Sequence, residues 1–314
     1  MTTPARSLST LLHGIIDYAG LFPPAALDMG RAVESFNRAR MGEQAWMLGR
    51  FVCPASKLRA FSQAGAPMMP GTFATSGYRE MADAGEPWRV SVLVDGSLDE
   101  ALDTIDQFNA HHEREENGLA RADTLEMKVT SAGQIDPAVE KIPEDVFPFF
   151  EIPLGADCRG FVAALAGEPV GAKIRTGGLT PDAFPQLQHV AEFIHACAVA
   201  DVRFKATAGL HHPVRGTFNL TYEPNCARGV MLGFLNLFLA AAMVRAERVP
   251  ISRTMEILEN QDASKFKFAD EFVSFGGSIV ETAKVARARE SFALSFGSCS
   301  FDEPVADLRT LGLL

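Results

Sequence analysis

Short apolar runs, rich in β-branched and aromatic residues, recur along the chain at 15–19, 47–53, 89–95, 125–130, 146–152, 170–176, 203–208 and 292–298. Each is short enough for a strand buried on both sides, and most are followed by apolar residues at three-to-four spacing, the mark of a helix with one face on a core. Phe184, Leu187, Ala191, Ile194 and Ala198 repeat in this way after Thr180-Pro181-Asp182, which predicts a helix N-terminus there. Leu98, Leu102, Ile105 and Phe108 repeat it after Gly96-Ser97. Alternation of strand and helix predicts parallel βα units, and eight of them predict an α/β fold, the closed (β/α)8 TIM barrel, as one domain over residues 1–314.

One spacing breaks the pattern. Between the last two strands, at about 213–290, an extended helical segment is expected, with helices over 229–244, 252–260 and 278–290. It is either a cap over the barrel mouth or a surface for a homo-oligomer. The charged stretch 109–123, with His111 and His112, reads as a solvated turn rather than a metal site.

Composition narrows the class of partner. At 314 residues and 47% hydrophobic the chain can bury a large core, and its formal net charge of −10 argues against nucleic acid or an anionic membrane surface. A small-molecule substrate is expected instead. The most apolar stretch, 230–244, is too short for a bilayer and contains Asn236, so it reads as a buried helix. The N-terminal apolar patch is broken by Ser7, Ser9, Thr10 and His13, which does not fit a secretory signal. Five cysteines (53, 158, 197, 226 and 299) form no C-x-x-C pair, a pattern that suits a cytoplasmic, reducing setting. Cys53 and Cys299 stand at strand ends and read as small buried side chains.

In a barrel of this kind the ends of several strands build the site. The polar residues there are Asp17, Asp95, Lys128, Glu151, Lys173, Arg175, Thr176, Lys205, Thr207, His211, His212, Ser298 and Ser300. Lys173 and Lys205 matter most, because a buried ammonium is kept only where it is paired, neutralised or used. Two cations close together lower each other's pKa toward the range in which an amine attacks a carbonyl. Lys173 and Lys205, with Glu151 and Asp17 to move protons, are therefore the expected catalytic set. The turn glycines Gly177, Gly178 and Gly209 follow the two lysines and, if they open onto a helix N-terminus, suit an anionic group of the substrate beside Arg175. One of His211 and His212 is expected to face the site. Neither a metal nor a cofactor is expected; a metal-assisted isomerase, hydrolase or lyase using Asp95, Glu151 and a histidine is the alternative, and a non-catalytic ligand-binding barrel is the third reading.

Two motifs carry a resemblance. Lys173-Ile174-Arg175-Thr176-Gly177 is similar to the K-x-x-T-G of the deoxyribose-phosphate aldolase family, and Lys205-Ala206-Thr207-Ala208-Gly209-Leu210 is similar to its K-A-x-G-G-I. Weaker echoes are Ile16-Asp17 with Leu21, Val52-Cys53-Pro54, Glu151, and Phe296-Gly297-Ser298-Cys299-Ser300. The resemblance implies a (β/α)8 barrel and a class I, Schiff-base aldolase, a carbon–carbon lyase acting on a small oxo or hydroxy compound such as a sugar derivative. Lys173 would form the imine and Lys205 would tune it. The family's fourth-strand aspartate meets Lys128 in the equivalent stretch here, and its Ser-Ser pair meets Cys299-Ser300.

Overall fold

The computed structural model describes residues 4–71, 85–155 and 157–314. Eight parallel strands close a barrel: β1 (Ile16–Tyr18), β2 (Leu48–Pro54), β3 (Trp88–Leu93), β4 (Ala120–Lys128), β5 (Phe147–Glu151), β6 (Gly171–Arg175), β7 (Arg203–Thr207) and β8 (Ala293–Ser298). Each strand pairs with its sequence neighbours, and β8 closes on β1. Seven of them agree with a predicted run to within two residues at both ends, and β4 does so at its C-terminal end but starts five residues early at Ala120.

The helices are α1 (Arg6–Leu12), α2 (Met29–Met41), α3 (Leu58–Gly65), α4 (Leu98–His112), α5 (Ile135–Val139), α6 (Arg159–Leu165), α7 (Leu187–Ala200), α8 (Phe234–Glu247), α9 (Ile251–Glu259), α10 (Thr282–Ser291) and α11 (Asp302–Thr310). Alternate strand residues turn outward and form the core with these helices. Phe36 meets Phe51 and Trp88 edge to face between α2 and the first strands, Phe61 from α3 lies tilted against both of these rings, and Phe204 packs against Phe193 and Phe292.

Local signals account for the helix ends. Ser97 and Glu100 form a reciprocal capping box that starts α4, and Asp28 caps α2 through the Arg31 amide. Thr180-Pro181-Asp182 does not start a helix. Pro181–Ala183 is a single 3-10 turn, Pro185 interrupts, and α7 begins at Leu187. His112 is likewise not in a solvated turn: it ends α4 with its ring buried, Nδ1 at 2.6 Å from the Gly118 carbonyl and Nε2 at 2.7 Å from Ser62 Oγ.

The segment between β7 and β8 holds helices and two small sheets. Residues 229–231 and 278–281, expected as helix, lie in the strands Arg228–Met231 and Ser278–Glu281 instead. Gly216–Asn219 and Arg228–Met231 pair as an antiparallel hairpin at the barrel mouth, and Phe266–Phe268, Phe272–Phe275 and Ser278–Glu281 form a three-stranded antiparallel sheet. Helix α8 is buried on every side from Phe234 to Val244. The one polar residue of that buried stretch, Asn236, is fully bonded: Nδ2 donates to the carbonyls of Ile257 (2.7 Å) and Asn260 (2.8 Å), and Oδ1 accepts from the Arg215 amide (2.9 Å). Among the described residues no helix is long and apolar enough to cross a membrane.

Candidate active site

The inward-facing side chains of this barrel are largely charged. Strand pairing puts Lys173 opposite Lys205 and Glu151 opposite Lys173, while Asp17 on β1 lies beside β8. Between the two lysines stands Glu126, on β4. Its Oε2 is 2.8 Å from Lys173 Nζ, and its Oε1 is 2.6 Å from Lys205 Nζ. Lys173 also meets Glu151 Oε2 at 2.6 Å, and Lys205 meets Asp17 Oδ2 at 2.6 Å. Arg175 Nε lies 3.4 Å from the other Glu151 oxygen. The result is an unbroken alternation of three carboxylates and three cations, Asp17, Lys205, Glu126, Lys173, Glu151 and Arg175.

Neutral donors complete it. Ser91 Oγ donates to Glu126 at 2.6 Å, Ser295 Oγ to Asp17 at 2.6 Å, and the Arg50 amide to the second Asp17 oxygen at 2.8 Å. The Lys205 ammonium also sits 5.4 Å over the Phe149 ring. Buried charges of this kind persist only with such full pairing, since one unpaired ion would cost several kcal/mol.

The pairing sets the protonation states. Burial pushes the Glu126 carboxyl up, but Lys173 and Lys205 outweigh it and hold it well below the usual carboxylate range. Glu151 is also held low, burial being outweighed by Lys173 and Arg175. Burial pulls the Lys205 ammonium down, yet Asp17 and Glu126 leave it above its ordinary value. This corrects the expectation that the lysines act on each other as bare like charges: a carboxylate lies between them, and Lys205 stays firmly protonated.

Only one of the two lysines lines open space. A cavity of about 330 Å³ at the C-terminal ends of the strands has Lys173 and Glu126 on its floor, and Arg175, Thr207, Gly178, His211 and Cys299 on its sides. Phe22, Pro23, Pro24, Leu179, Leu220 and Met231 make the rest of the wall apolar. Lys205 and Asp17, each 1% exposed, lie buried beside that floor. A second cavity of about 460 Å³ adjoins the first, sharing Pro24, His211, Leu220 and Met231, and extends under the hairpin past His212, Thr217, Asn219, Tyr222 and Arg228.

The remaining predicted residues divide. Thr207, Gly178, Gly209, Arg175 and His211 line the first cavity, and His211 and His212 line the second. Thr176 is turned to structure, its hydroxyl donating to the Ala208 carbonyl at 2.6 Å. Gly177 and Gly209 pack against each other; a Cβ at Gly177 would stand 2.8 Å from the Gly209 Cα, and Gly209 has a φ of +71°. These glycines permit close approach of two loops, and no helix N-terminus opens from Gly177-Gly178, so the expected anion cradle is not formed there.

Ser298 donates to the Ser300 carbonyl, and Ser300 Oγ accepts the Glu303 amide at the start of α11, so neither hydroxyl faces the cavity. Lys128 is exposed, and Asp95 is bonded to the Ser56 amide and hydroxyl. Both stand outside the cavity wall. Cys53 and Cys299 are buried, with their thiols pushed up by burial. The metal alternative required Asp95, Glu151 and a histidine together; among the described residues no three such side chains gather, and Glu151 is engaged by Lys173 and Arg175.

Glu126 was missed because polar residues were sought at strand ends. It sits two residues before the end of β4, on the face that it shares with Lys128, and strand alternation is the signal that could have found it. Glu303 and Asp307 were also missed. Each binds a histidine more than 90 residues earlier, and no local pattern announces that.

No family model matches this chain, and neither does any curated protein or any solved structure.

Proposed function

We propose that this protein is an imine-forming, aldolase-like carbon–carbon lyase that acts on a small oxo or hydroxy compound, with Lys173 as nucleophile. The observation that carries this reading is that Lys173 is the one ammonium on the cavity floor in contact with two carboxylates able to take its proton, at 2.6 Å and 2.8 Å. The Lys173 and Lys205 motifs, with their resemblance to the Schiff-base aldolases, support it. Glu126 adds a fourth-strand carboxylate beside both lysines, where the sequence had offered only Lys128.

The chemistry follows from the contacts. A carboxylate, Glu151 or Glu126, accepts a proton from the Lys173 ammonium, and the freed amine attacks the substrate carbonyl carbon. The carbinolamine oxygen takes up a proton and leaves as water, so an iminium forms whose positive charge replaces that of the original ammonium. The alternating charges therefore keep their balance when the covalent bond forms, with no reorganisation of the buried carboxylates. Lys205, bound by Asp17 and Glu126, stays charged throughout and holds Glu126 in place. Arg175, at the cavity edge, suits an anionic group on the substrate.

Borohydride reduction in the presence of acetone tests the proposal by mass spectrometry. The expected result is an irreversible adduct on Lys173 in the wild type and none in Lys173→Ala. Labelling at surface lysines alone, with the peptide containing Lys173 unmodified, would remove the reading.

A further inference from the structure

Beyond the lysine floor, the cavity wall carries a group that imine formation leaves without a task. His211 follows β7 and is 8% exposed, yet it lines both cavities. Its Nδ1 lies 3.0 Å from Oε2 of Glu303, on α11, and the same oxygen accepts Tyr222 Oη from the hairpin loop at 3.3 Å. A carboxylate on Nδ1 fixes the tautomer with its proton there, so Nε2 presents a lone pair. Among the described residues Nε2 has no hydrogen-bond partner.

Glu303 is set to serve as that anchor. Burial pushes its carboxyl up, but His211, His212 and Tyr222 outweigh burial and hold it below the usual range. The neighbouring His212 is built differently: its Nδ1 is 2.6 Å from Asp307, its ring stacks on Phe218 at 3.4 Å, and it faces the second cavity alone. The titratable and charged groups around His211 are thus Glu303 and Asp307 from α11, Tyr222 from the hairpin loop, Cys299 after β8, and His212.

Resting on the reading of Lys173 as an imine-forming nucleophile, we propose that His211, oriented by Glu303, is the base that accepts the β-hydroxyl proton of a β-hydroxy carbonyl substrate whose polar tail enters the second cavity. The substrate carbonyl carbon is bound to Lys173 as the iminium. His211 Nε2 takes the hydroxyl proton, the C–O bond becomes C=O, and the Cα–Cβ bond breaks with its electron pair passing into the iminium to give the enamine. The protonated imidazole then returns the proton to the enamine carbon, and water releases the ketone.

Glu126 and Glu151 are poorly suited to this step. Both are held against the Lys173 ammonium, at 2.8 Å and 2.6 Å, at the far end of the cavity from His211 and the second cavity. The wall supports the division of the substrate as well. The first cavity is mostly apolar and suits the short carbon segment between the two reacting centres, whereas Thr217, Asn219, Tyr222 and Arg228 in the second offer hydrogen bonds to hydroxyl or acidic groups on the tail.

The test uses three probes: acetone for the imine, 4-hydroxy-2-pentanone for carbon–carbon cleavage, and 4,5-dihydroxy-2-pentanone for the tail. His211→Asn should keep the borohydride-dependent acetone adduct on Lys173 while the release of aldehyde from both hydroxyketones falls by about 10²-fold or more. Asn219→Ala should raise KM for the dihydroxy probe several-fold more than for the monohydroxy probe, and equal changes for the two would overturn the placement of the tail in the second cavity. If His211→Asn does not fold, Glu303→Gln decides, because it keeps the imidazole and should lower kcat with KM and the acetone adduct retained.

Wild-type turnover in a folded His211→Asn, or in Glu303→Gln where only that variant folds, would overturn the role of His211. Loss of the acetone adduct in the deciding variant would do the same, since the group would then belong to imine formation. A wild type that forms the adduct but cleaves neither hydroxyketone would overturn the substrate class while the Lys173 reading stands, and a wild type that forms no adduct would overturn both.

Discussion

At the scale of single residues, Glu126 is the side chain on which the others depend. It is 2% exposed and serves two ammonium groups with separate oxygens, so its charge cannot be removed without leaving Lys173 and Lys205 facing each other at low local dielectric. Glu126→Gln keeps the shape and deletes the charge. It should destabilise the fold by about 3–5 kcal/mol, the usual consequence of breaking one partner out of a buried ion network. Urea denaturation followed by circular dichroism measures this directly. An unchanged midpoint with an unchanged m-value would mean that the lysines are not both charged in the folded protein, and the proton inventory given for Lys173 would have to be redrawn.

At the scale of elements, the strands were legible and the segment after β7 was only partly so. Parallel strands buried on both faces are short apolar runs whose spacing to the next helix repeats, and eight such runs leave little choice of topology. The hairpin at 216–231 has no such signature. Its strands are four residues each, Arg228-Gly229-Val230-Met231 continues into the apolar start of α8, and a run of that length cannot be told from helix by period alone. Lys173 and Lys205 could be read as site residues because strand neighbours are fixed by sequence order. Glu303 and Asp307 could not, because their partners are set by where α11 docks.

Asn236 shows the same limit in reverse, being visible in the sequence as an oddity but explained only by its three partners. Asn236→Leu fits the apolar surroundings of α8 yet strips hydrogen bonds from the Arg215 amide and from the carbonyls of Ile257 and Asn260. It should cost about 3 kcal/mol and lower the melting temperature, as read by calorimetry. A variant as stable as the wild type would show that those backbone groups find water or other partners.

At the scale of the molecule, a barrel interior is ordinarily filled by layers of branched apolar side chains, whereas this one carries a chain of paired charges among its apolar side chains. Below the lysines, Asp123 binds Arg50 Nε at 2.6 Å and Arg89 Nε at 2.7 Å, and burial of its carboxyl is outweighed by those guanidiniums. Stability should therefore depend on pH with a sign fixed by these groups. Glu126, Glu151 and Asp123 have folded pKa values below their ordinary 4.5, 4.5 and 3.8. Their contribution is complete above the ordinary values and is lost as pH falls through the folded ones. Lys205, raised above its ordinary 10.5, contributes fully below that pH and loses its contribution only as pH rises through the higher folded value. Melting temperature should accordingly hold a plateau only around neutral pH. The buried His112 ring, held below its ordinary 6.5 by burial, begins to cost stability under that pH, and the buried Cys53 and Cys299 thiols, raised above their ordinary 9.0, begin to cost it above that one. The melting temperature should fall steeply below about pH 4.5, where the carboxylates of the unfolded chain take up protons. In Glu126→Gln one of those uptake sites is gone, so the acid limb should be shallower as well as the plateau lower. Parallel acid limbs in the two proteins would show that Glu126 titrates normally in the folded state, which the pairing with Lys173 and Lys205 forbids.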